Sequence, residues 1–245
     1  MKADPSRQRA LLEVQVLDTT LAQLDHRRTT LPEHTRLREL SEQHEAAQSE
    51  VVRTVTAHED VQRELRKADA DVQLVRDRVA RDQARLDLGV GSAKDLQGIQ
   101  HELQSLARRQ AILEDEELEV MERAESAEQA VDRARQQEAE ITEQVELVTS
   151  QRDDKQADIA MERERVVAAR APVVELVGND LLALYDKIRA RSGSGAAPLV
   201  ARRCNGCNME LHNTDLSRIR EAADDEVLRC EECGRILVRT EESGL

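Results

Sequence analysis

Four cysteines near the carboxyl end of the chain have the spacing to bind a metal ion. They form two Cys-x-x-Cys pairs with 22 residues between them: Cys204 with Cys207, and Cys230 with Cys233. Two residues between paired cysteines let one tight turn direct both sulfur atoms at one ion, and zinc binds four thiolates tetrahedrally. The sequence therefore predicts one structural zinc ion per chain, held by these four cysteines.

Two other interpretations of the cysteines stay open at this point, a redox dithiol and an iron–sulfur cluster. A redox Cys-x-x-Cys is expected near a β-α-β pattern, which the flanking sequence lacks. His212 is the only nearby substitute ligand, but it lies five residues after Cys207, outside the pair spacing. Four thiolates would close the coordination shell to water, so catalytic zinc is not expected.

The rest of the chain offers no motif for catalysis. No phosphate-binding loop, His-Glu-x-x-His or nucleophile elbow occurs. The acidic residues are spread along heptad repeats, where they typically form solvated helix faces. We therefore expect neither enzymatic activity nor a small-molecule substrate.

Short alternating segments around the cysteines predict the strands of a zinc ribbon over residues 199–240. Three such segments are present: residues 199–201, 227–229 and 236–239. Thr214 is a candidate N-cap for a short helix over residues 215–221. The metal-binding pairs would then lie on turns between short strands.

The composition favours long helices over a mixed globular core. The chain has 245 residues and a net charge of −14, without Phe or Trp and with Tyr185 as its single tyrosine. Aromatic side chains normally supply much of a core's buried area, and this composition is typical of coiled coils. Neither a secretory signal nor an apolar run of roughly 18 residues is present. We therefore expect a cytoplasmic protein without a membrane partner.

Apolar residues recur at alternating steps of three and four along two long segments, the spacing of a coiled-coil seam. The seams cover residues 37–86 and 96–166, and glycines between them permit a reversal near residues 88–93. Proline predicts a kink at Leu31–Pro32. The predicted fold class is mainly α, a long antiparallel coiled-coil hairpin over residues 1–171 plus a small C-terminal zinc ribbon with short β-strands.

Residues 172–245 are predicted to form a separate C-terminal part. It begins at Pro172 with a helix over residues 173–191, whose apolar face is broader than a two-stranded seam requires. The Gly- and Ser-rich residues 192–198 predict a flexible link to the ribbon. The ribbon adds a second apolar cluster: Leu211, Leu216 and Ile219. Surplus apolar surface of this kind marks docking sites for proteins.

Two segments resemble a known protein family. Residues 94–103, after the predicted turn, and the stretch Cys230–Leu237 are similar to bacterial coiled-coil hairpin proteins with a C-terminal four-cysteine zinc ribbon. The likeness covers nearly the whole chain and implies the same four metal ligands. It also implies a non-enzymatic adaptor. Some members are tied to flagellar or type III secretion systems, as binders of secretion components, a sigma factor or messenger RNA.

Two functions fit these features. The first is a protein-binding scaffold or chaperone-like adaptor that docks partners through its helical arms and its ribbon. The alternative is an RNA- or DNA-binding regulator acting through four arginines of the ribbon: Arg202, Arg203, Arg229 and Arg239. Residues 198–245 contain seven arginines and ten acidic residues, whereas phosphate binding relies on concentrated positive charge. The charge balance favours the first function.

Overall fold

The computed structural model describes residues 1–245, which divide into two compact units. We call Thr35–Ser150 the hairpin unit, and Met1–His34 together with Gln151–Leu245 the composite unit. The elements are α1 (Pro5–Thr29), α2 (Pro32–Asp87), α3 (Ala93–Val177), α4 (Asn179–Ser192), β1 (Ala196–Val200), β2 (Arg203–Cys204), α5 (Asn213–Glu221), β3 (Leu228–Arg229) and β4 (Ile236–Val238). None of the helices has the length and apolar character that crossing a membrane requires. The predicted mainly α fold class is confirmed.

In the hairpin unit, α2 and α3 pair in antiparallel orientation. Val72, Val75 and Leu113 are buried together in the seam between the two helices. Two ion pairs cross from one helix to the other: Arg76–Glu114 at 2.6 Å and Arg78–Glu102 at 2.8 Å. Exposed pairs of this kind contribute at most about 1 kcal/mol each. Burial of the apolar seam is therefore the main source of stability in this unit.

The reversal of the hairpin occupies residues 88–92. Gly89 and Gly91 have φ angles of +61° and +139°, which side chains other than glycine rarely adopt. The next helix is capped reciprocally, because the Asp95 amide donates to Ser92 Oγ (3.3 Å) and the Ser92 amide donates to Asp95 Oδ2 (3.0 Å). The Ser92 hydroxyl and amide lower the pKa of the Asp95 carboxyl. A local sequence signal thus sets the start of α3.

Helix α1 ends at Thr29 and α2 begins at Pro32, around the predicted kink. Proline suits the first position of a helix, where its missing amide would have no intrahelical partner. Leu31 lies in the gap and is buried with Leu24 and Ile159. The interruption therefore places an apolar side chain against α3 instead of in solvent.

The predicted boundary at residue 171 and helix over residues 173–191 are both corrected by the structure. Pro172 lies inside α3, which continues to Val177, and the break comes at Gly178, whose φ is +78°. A helix of 85 residues tolerates the loss of one amide donor at proline. It ends where glycine adopts a backbone angle that other residues disfavour.

Helix α1 packs against residues of the C-terminal part, which was predicted to be separate. We call the shared cluster the helix–sheet core, and its members come from α1, α3, α4, β1 and β4: Leu11, Val14, Val177, Leu181, Tyr185, Ile188, Ala196, Ile236 and Val238. The apolar face of α1 packs in this core against residues that lie close to two hundred positions later in the sequence. A boundary drawn from local composition misses contacts of that range.

The strands form one sheet in the order β2-β1-β4-β3, with β1 and β4 parallel. Residues 196–198, predicted as part of a flexible link, instead belong to β1 and pair with residues 236–238. Side chains alternate across the sheet, so Ile236 and Val238 face the helix–sheet core while Leu237 faces the other side. That side, which we call the cysteine-side core, includes Leu199, Leu211, Leu216, Ile219, Leu237, Cys204 and Cys230.

The apolar surface that the sequence suggested as surplus is mostly buried. Val177, Leu181 and Tyr185 lie in the helix–sheet core, and the cluster of residues 211–219 lies in the cysteine-side core. Leu176 remains 67% exposed. Docking through the broad helical stripe and the ribbon cluster stays a prediction, and it applies only to the part that α1 and the sheet leave exposed, such as Leu176 and the partly exposed Val173.

A buried carboxylate joins three helices beside the helix–sheet core. Asp18 of α1, only 2% exposed, accepts hydrogen bonds from Arg170 Nε of α3 (2.8 Å) and from the Tyr185 hydroxyl of α4 (2.9 Å). Arg189 Nη1 lies 3.5 Å from Asp18 Oδ2. A buried charge is tolerated only when it is paired and hydrogen-bonded, as Asp18 is. Burial, and then the hydrogen bond to Asp18, raise the pKa of Tyr185.

We expect the stability of the composite unit to fall as the pH rises above about 10, the pKa of tyrosine in an unfolded chain. The folded pKa of Tyr185 lies above that value, so the protonated tyrosine contributes its full stability at lower pH and loses it as the pH rises. Denaturant unfolding across pH 8 to about 12 measures this, and absorbance of the single tyrosinate reports its ionisation directly.

Tyr185→Phe is the matched control, because it keeps the ring and removes the hydroxyl. It should unfold with a free energy about 1.5–3 kcal/mol lower at neutral pH, the typical contribution of a hydrogen bond to a charged group. Its stability should also fall less steeply above pH 10. Equal slopes in the two proteins would contradict the expectation.

Candidate metal centre

The four cysteine sulfurs converge in the composite unit. All four lie within 4.8 Å of one another, and two short contacts cross between the two pairs. Cys204 Sγ lies 3.8 Å from Cys233 Sγ, and Cys207 Sγ lies 3.9 Å from Cys230 Sγ. Tetrahedral zinc with bonds of about 2.3 Å places its sulfur ligands about 3.8 Å apart. The separations therefore fit the ligand set of one zinc ion.

Each cysteine pair lies on a tight turn that the backbone closes. In the first turn, the Asn208 amide donates to the Cys204 carbonyl at 2.8 Å. In the second, the Gly234 amide donates to the Cys230 carbonyl at 2.8 Å, and Gly234 has a φ of +71°. The glycine after the second pair thus has a conformational role. The two turns have the same closing pattern, as expected for two zinc-binding knuckles.

The site is shielded from water on one side by the cysteine-side core. Cys204 and Cys230 are buried, while Cys207 and Cys233 are partly exposed. Burial raises the pKa of Cys204 and raises that of Cys230 to about 12. Burial opposes ionisation of Cys233 as well, but hydrogen bonds from the backbone and side chain of Arg235 lower its pKa to about 7. A divalent cation supplies the charge that lets such buried thiols bind as thiolates.

The other residue considered as a ligand does not join the cluster. His212 is exposed and forms the N-cap of α5, without a capping hydrogen bond from its side chain. Thr214, expected to be the cap, lies inside the helix instead. The helix begins at Asn213, two residues earlier than the local pattern indicated. His212, directly before it, has an extended backbone.

The four arginines considered for nucleic-acid contact each have a partner within the protein. Arg202 Nε donates to the Gly244 carbonyl (3.0 Å), Arg203 pairs with Glu210 (3.4 Å), Arg229 Nε donates to the Gly234 carbonyl (2.9 Å), and Arg239 Nη1 donates to the Ala222 carbonyl (2.9 Å). Arg203 and Arg229 lie on β2 and β3, the two outer strands of the sheet. The structure therefore does not gather these four residues into one group.

The N-terminal segment forms a contact with the ribbon that no sequence pattern predicted. The Ala3 amide donates to the Asp225 carbonyl (2.7 Å), and the Val227 amide donates to the Met1 carbonyl (3.1 Å). Gln8 Nε2, from a side chain that is 4% exposed, donates to the Ala3 carbonyl at 2.8 Å. No local signal marks residues 1–3 as strand-like, because their partners lie more than two hundred positions away.

Metal removal should affect both faces of the sheet. We expect chelation to abolish amide protection in residues 196–238 and to weaken it in α1 and α4, because Ile236 and Val238 belong to the helix–sheet core. A module this small rarely folds without its metal. Hydrogen exchange with and without chelator measures the change, with the seam around Val72 and Leu113 as internal control.

The double variant Cys204→Ser/Cys230→Ser should reproduce the chelated pattern without any chelator present. Unchanged protection of residues 196–238 after the metal is removed would show that the ribbon folds without it. Loss confined to those residues, with α1 and α4 unaffected, would show that the sheet does not couple the two cores.

Known families match both parts of the chain. The model of the CT398-like coiled coil hairpin domain matches residues 14–193, and that of the C4-type zinc ribbon domain matches residues 203–237. An uncharacterized protein of Mycobacterium tuberculosis (strain H37Rv) is 37% identical over 243 residues, 98% of each chain. An uncharacterized protein of Mycobacterium leprae is 27% identical over 227 residues, 90% of this chain and 95% of that protein.

Solved structures agree with these matches. A Mycobacterium smegmatis structure is 37% identical, with a TM-score of 0.83 over 98% of this chain and 100% of that one. The structure of CT398 from Chlamydia trachomatis has a TM-score of 0.63 over 96% of this chain and 98% of its own, and at 15% identity it supports the fold alone. The chain therefore belongs to the CT398-like coiled-coil hairpin family and carries a C4-type zinc ribbon with a cysteine cluster suited to zinc.

Proposed function

We propose that this protein is a non-enzymatic scaffold that binds one structural zinc ion per chain and docks protein partners. The ligands are Cys204, Cys207, Cys230 and Cys233. The ion holds the two knuckles together on the side of the sheet that bears the cysteine-side core. Free thiols are kept reduced in the cytoplasm, so we place the protein there. The role of zinc is then to stabilise the surface on which partners bind.

The observation that carries the docking proposal is an apolar groove between α1 and α3 in the composite unit. Its lining is Leu12, Glu13, Val16, Leu17, Ala169 and Val173. Val16 is 64% exposed, although the opposite face of α1 is fully buried through Leu11 and Val14. Leaving apolar area in water costs about 25 cal/mol per Å². Helix α1 already buries one apolar face in the helix–sheet core. Its second, exposed apolar face suggests that another molecule covers that face.

The groove suits the apolar face of a partner helix with basic flanking residues. Two antiparallel helices border it, and an amphipathic helix fills such a groove with side chains at steps of three and four. Glu13 is the one charged residue of its lining, and the chain carries a net charge of −14. Both features favour a basic partner segment.

The charge of the chain is also the reason to propose a protein as the partner instead of RNA or DNA. Nucleic-acid binding draws most of its affinity from phosphate contacts with clustered Lys and Arg. The ribbon has an acidic excess, and its four candidate arginines are engaged within the chain, as described above. Among the partners that the family resemblance implies, secretion components and a sigma factor therefore fit better than messenger RNA.

A charged substitution in the groove should remove partner binding. We expect Val16→Glu to abolish capture of any protein that the full-length wild type recovers from nuclease-treated native lysate, because the carboxylate would be desolvated on docking. Val52→Glu is the matched control, at a valine 66% exposed on α2 of the hairpin unit. Quantitative mass spectrometry of the captured proteins and the zinc content of each variant are the measurements.

Proteins lost from the groove variant and retained by the control would support docking at the groove. Equal recovery by both variants would place docking elsewhere. If nuclease removes all bound material, and salt-dependent RNA or DNA binding disappears in Arg202→Ala/Arg203→Ala, the regulator function is favoured over the scaffold.

A further inference from the structure

The hairpin unit has a groove of its own between α2 and α3, which we call the hairpin groove. Its apolar lining comes from both helices: Leu65, Leu118, Met121 and Ala124. Ala124 is buried, whereas Leu118 is 57% exposed and Met121 is 48% exposed. Pairing of α2 with α3 therefore leaves two large apolar side chains in water, one turn apart on α3.

Acidic side chains border the same groove. They are exposed, and its lining includes no Lys or Arg: Glu122, Glu125 and Glu128. Arg123 lies among them in sequence but pairs with Glu64 of α2 at 2.7 Å. Glu125 accepts one hydrogen bond, from Gln129 Nε2 at 3.4 Å. Like charges three residues apart on a helix repel each other, so a cationic partner would stabilise this stripe.

The surrounding sequence gives this region of α3 a strong negative charge. Residues 114–128 contain eight acidic residues and a single arginine. Phosphate backbones, anionic lipids and the same surface of a second copy would all be repelled by it. A small polycation would neutralise the carboxylates but leave Leu118 and Met121 in water.

A basic amphipathic helix satisfies both features of the groove. Leu118, Met121, Glu125 and Glu128 follow one another at steps of three and four, so they lie on one side of α3. A partner helix with apolar residues at the same steps and Lys or Arg beside them would cover the apolar pair and face the carboxylates. The occupant is therefore defined by its charge as well as by its apolar face.

We propose that the hairpin groove binds a basic amphipathic helix of a protein partner, with Leu118 and Met121 as apolar contacts and the three glutamates as charge contacts. The inference goes beyond the proposed function, because it requires neither the metal centre nor the groove between α1 and α3. Binding at this site is weak, since exposed ion pairs contribute little and the apolar contact consists of two exposed side chains. A titration detects such binding, whereas capture from lysate selects tighter complexes.

The test titrates the full-length protein into a labelled synthetic helical peptide, with leucines at steps of three and four and lysines beside them, and follows fluorescence anisotropy. Glu122→Gln/Glu125→Gln removes two charges from the groove. Leu118→Gln/Met121→Gln removes the apolar contact with a residue that also favours helix. The matched control is Glu116→Gln/Glu119→Gln, which makes the same change in net charge at exposed positions of α3 outside the lining. Circular dichroism verifies the helix content of each variant.

We expect Glu122→Gln/Glu125→Gln to weaken peptide binding about tenfold, because each lost exposed ion pair contributes up to about fivefold. Leu118→Gln/Met121→Gln should also weaken it, while the matched control should bind as the wild type does. Raising the salt from about 0.05 M to about 0.5 M should reduce the difference between the wild type and the glutamate variant, because salt screens exposed charges.

Four results would overturn the inference. Equal weakening in the two glutamate variants would show that net charge attracts the peptide without a defined site. Equal binding of a peptide with the same composition but scattered leucines would show that the apolar face is not recognised. A dimer of the free protein that Leu118→Gln/Met121→Gln dissociates, measured by sedimentation velocity, would assign the groove to a second copy.

The fourth result separates this inference from the proposed function. Binding that Val16→Glu removes and the hairpin variants leave unchanged would place the peptide in the groove between α1 and α3. The hairpin site would then be refuted while the proposed docking function stands. Binding that Val16→Glu leaves unchanged and the hairpin variants weaken would support the hairpin site by itself.

Discussion

The parallel pair of β1 and β4 is the constraint on which the composite unit depends. Because side chains alternate across a strand, Ile236 and Val238 pack against helices while Leu237, between them, packs beside the cysteines. One three-residue strand therefore contributes to two cores. Neither core can be lost without exposing the sheet that bounds the other, so metal binding and helix packing stabilise a common layer.

The polar contacts extend this dependence from the helices to the metal centre. Asp18 fixes α4 through Tyr185 and Arg189, and the carbonyl at the end of α4 receives a hydrogen bond from Arg235. The same guanidinium contacts the first knuckle. A buried carboxylate on the first helix and the first cysteine knuckle are thus connected through one short helix, and each link is a hydrogen bond or ion pair that involves a charged group.

The distribution of apolar surface explains why docking is proposed on α1 and α3 instead of on the ribbon. Nearly all apolar side chains of the ribbon lie in its two cores, and three of the four arginines considered for nucleic-acid contact donate to backbone carbonyls. Helix α1 differs, because Leu11 and Val14 are buried on one face while Val16 is exposed on another. A scaffold of this kind would keep its metal site for stability and its helices for recognition.

The sequence alone determined the features that depend on neighbours in the chain. Cysteine spacing predicted the metal-binding pairs, heptad spacing the helices, and glycine and proline the reversal and the interruption at Leu31–Pro32, because each follows from local geometry. Only the tertiary structure decided that α1 belongs with the ribbon, that Ala196 begins a strand, and that Pro172 lies within a helix. Those outcomes rest on contacts between residues far apart in sequence, such as Asp18 with Arg170, which no local pattern encodes.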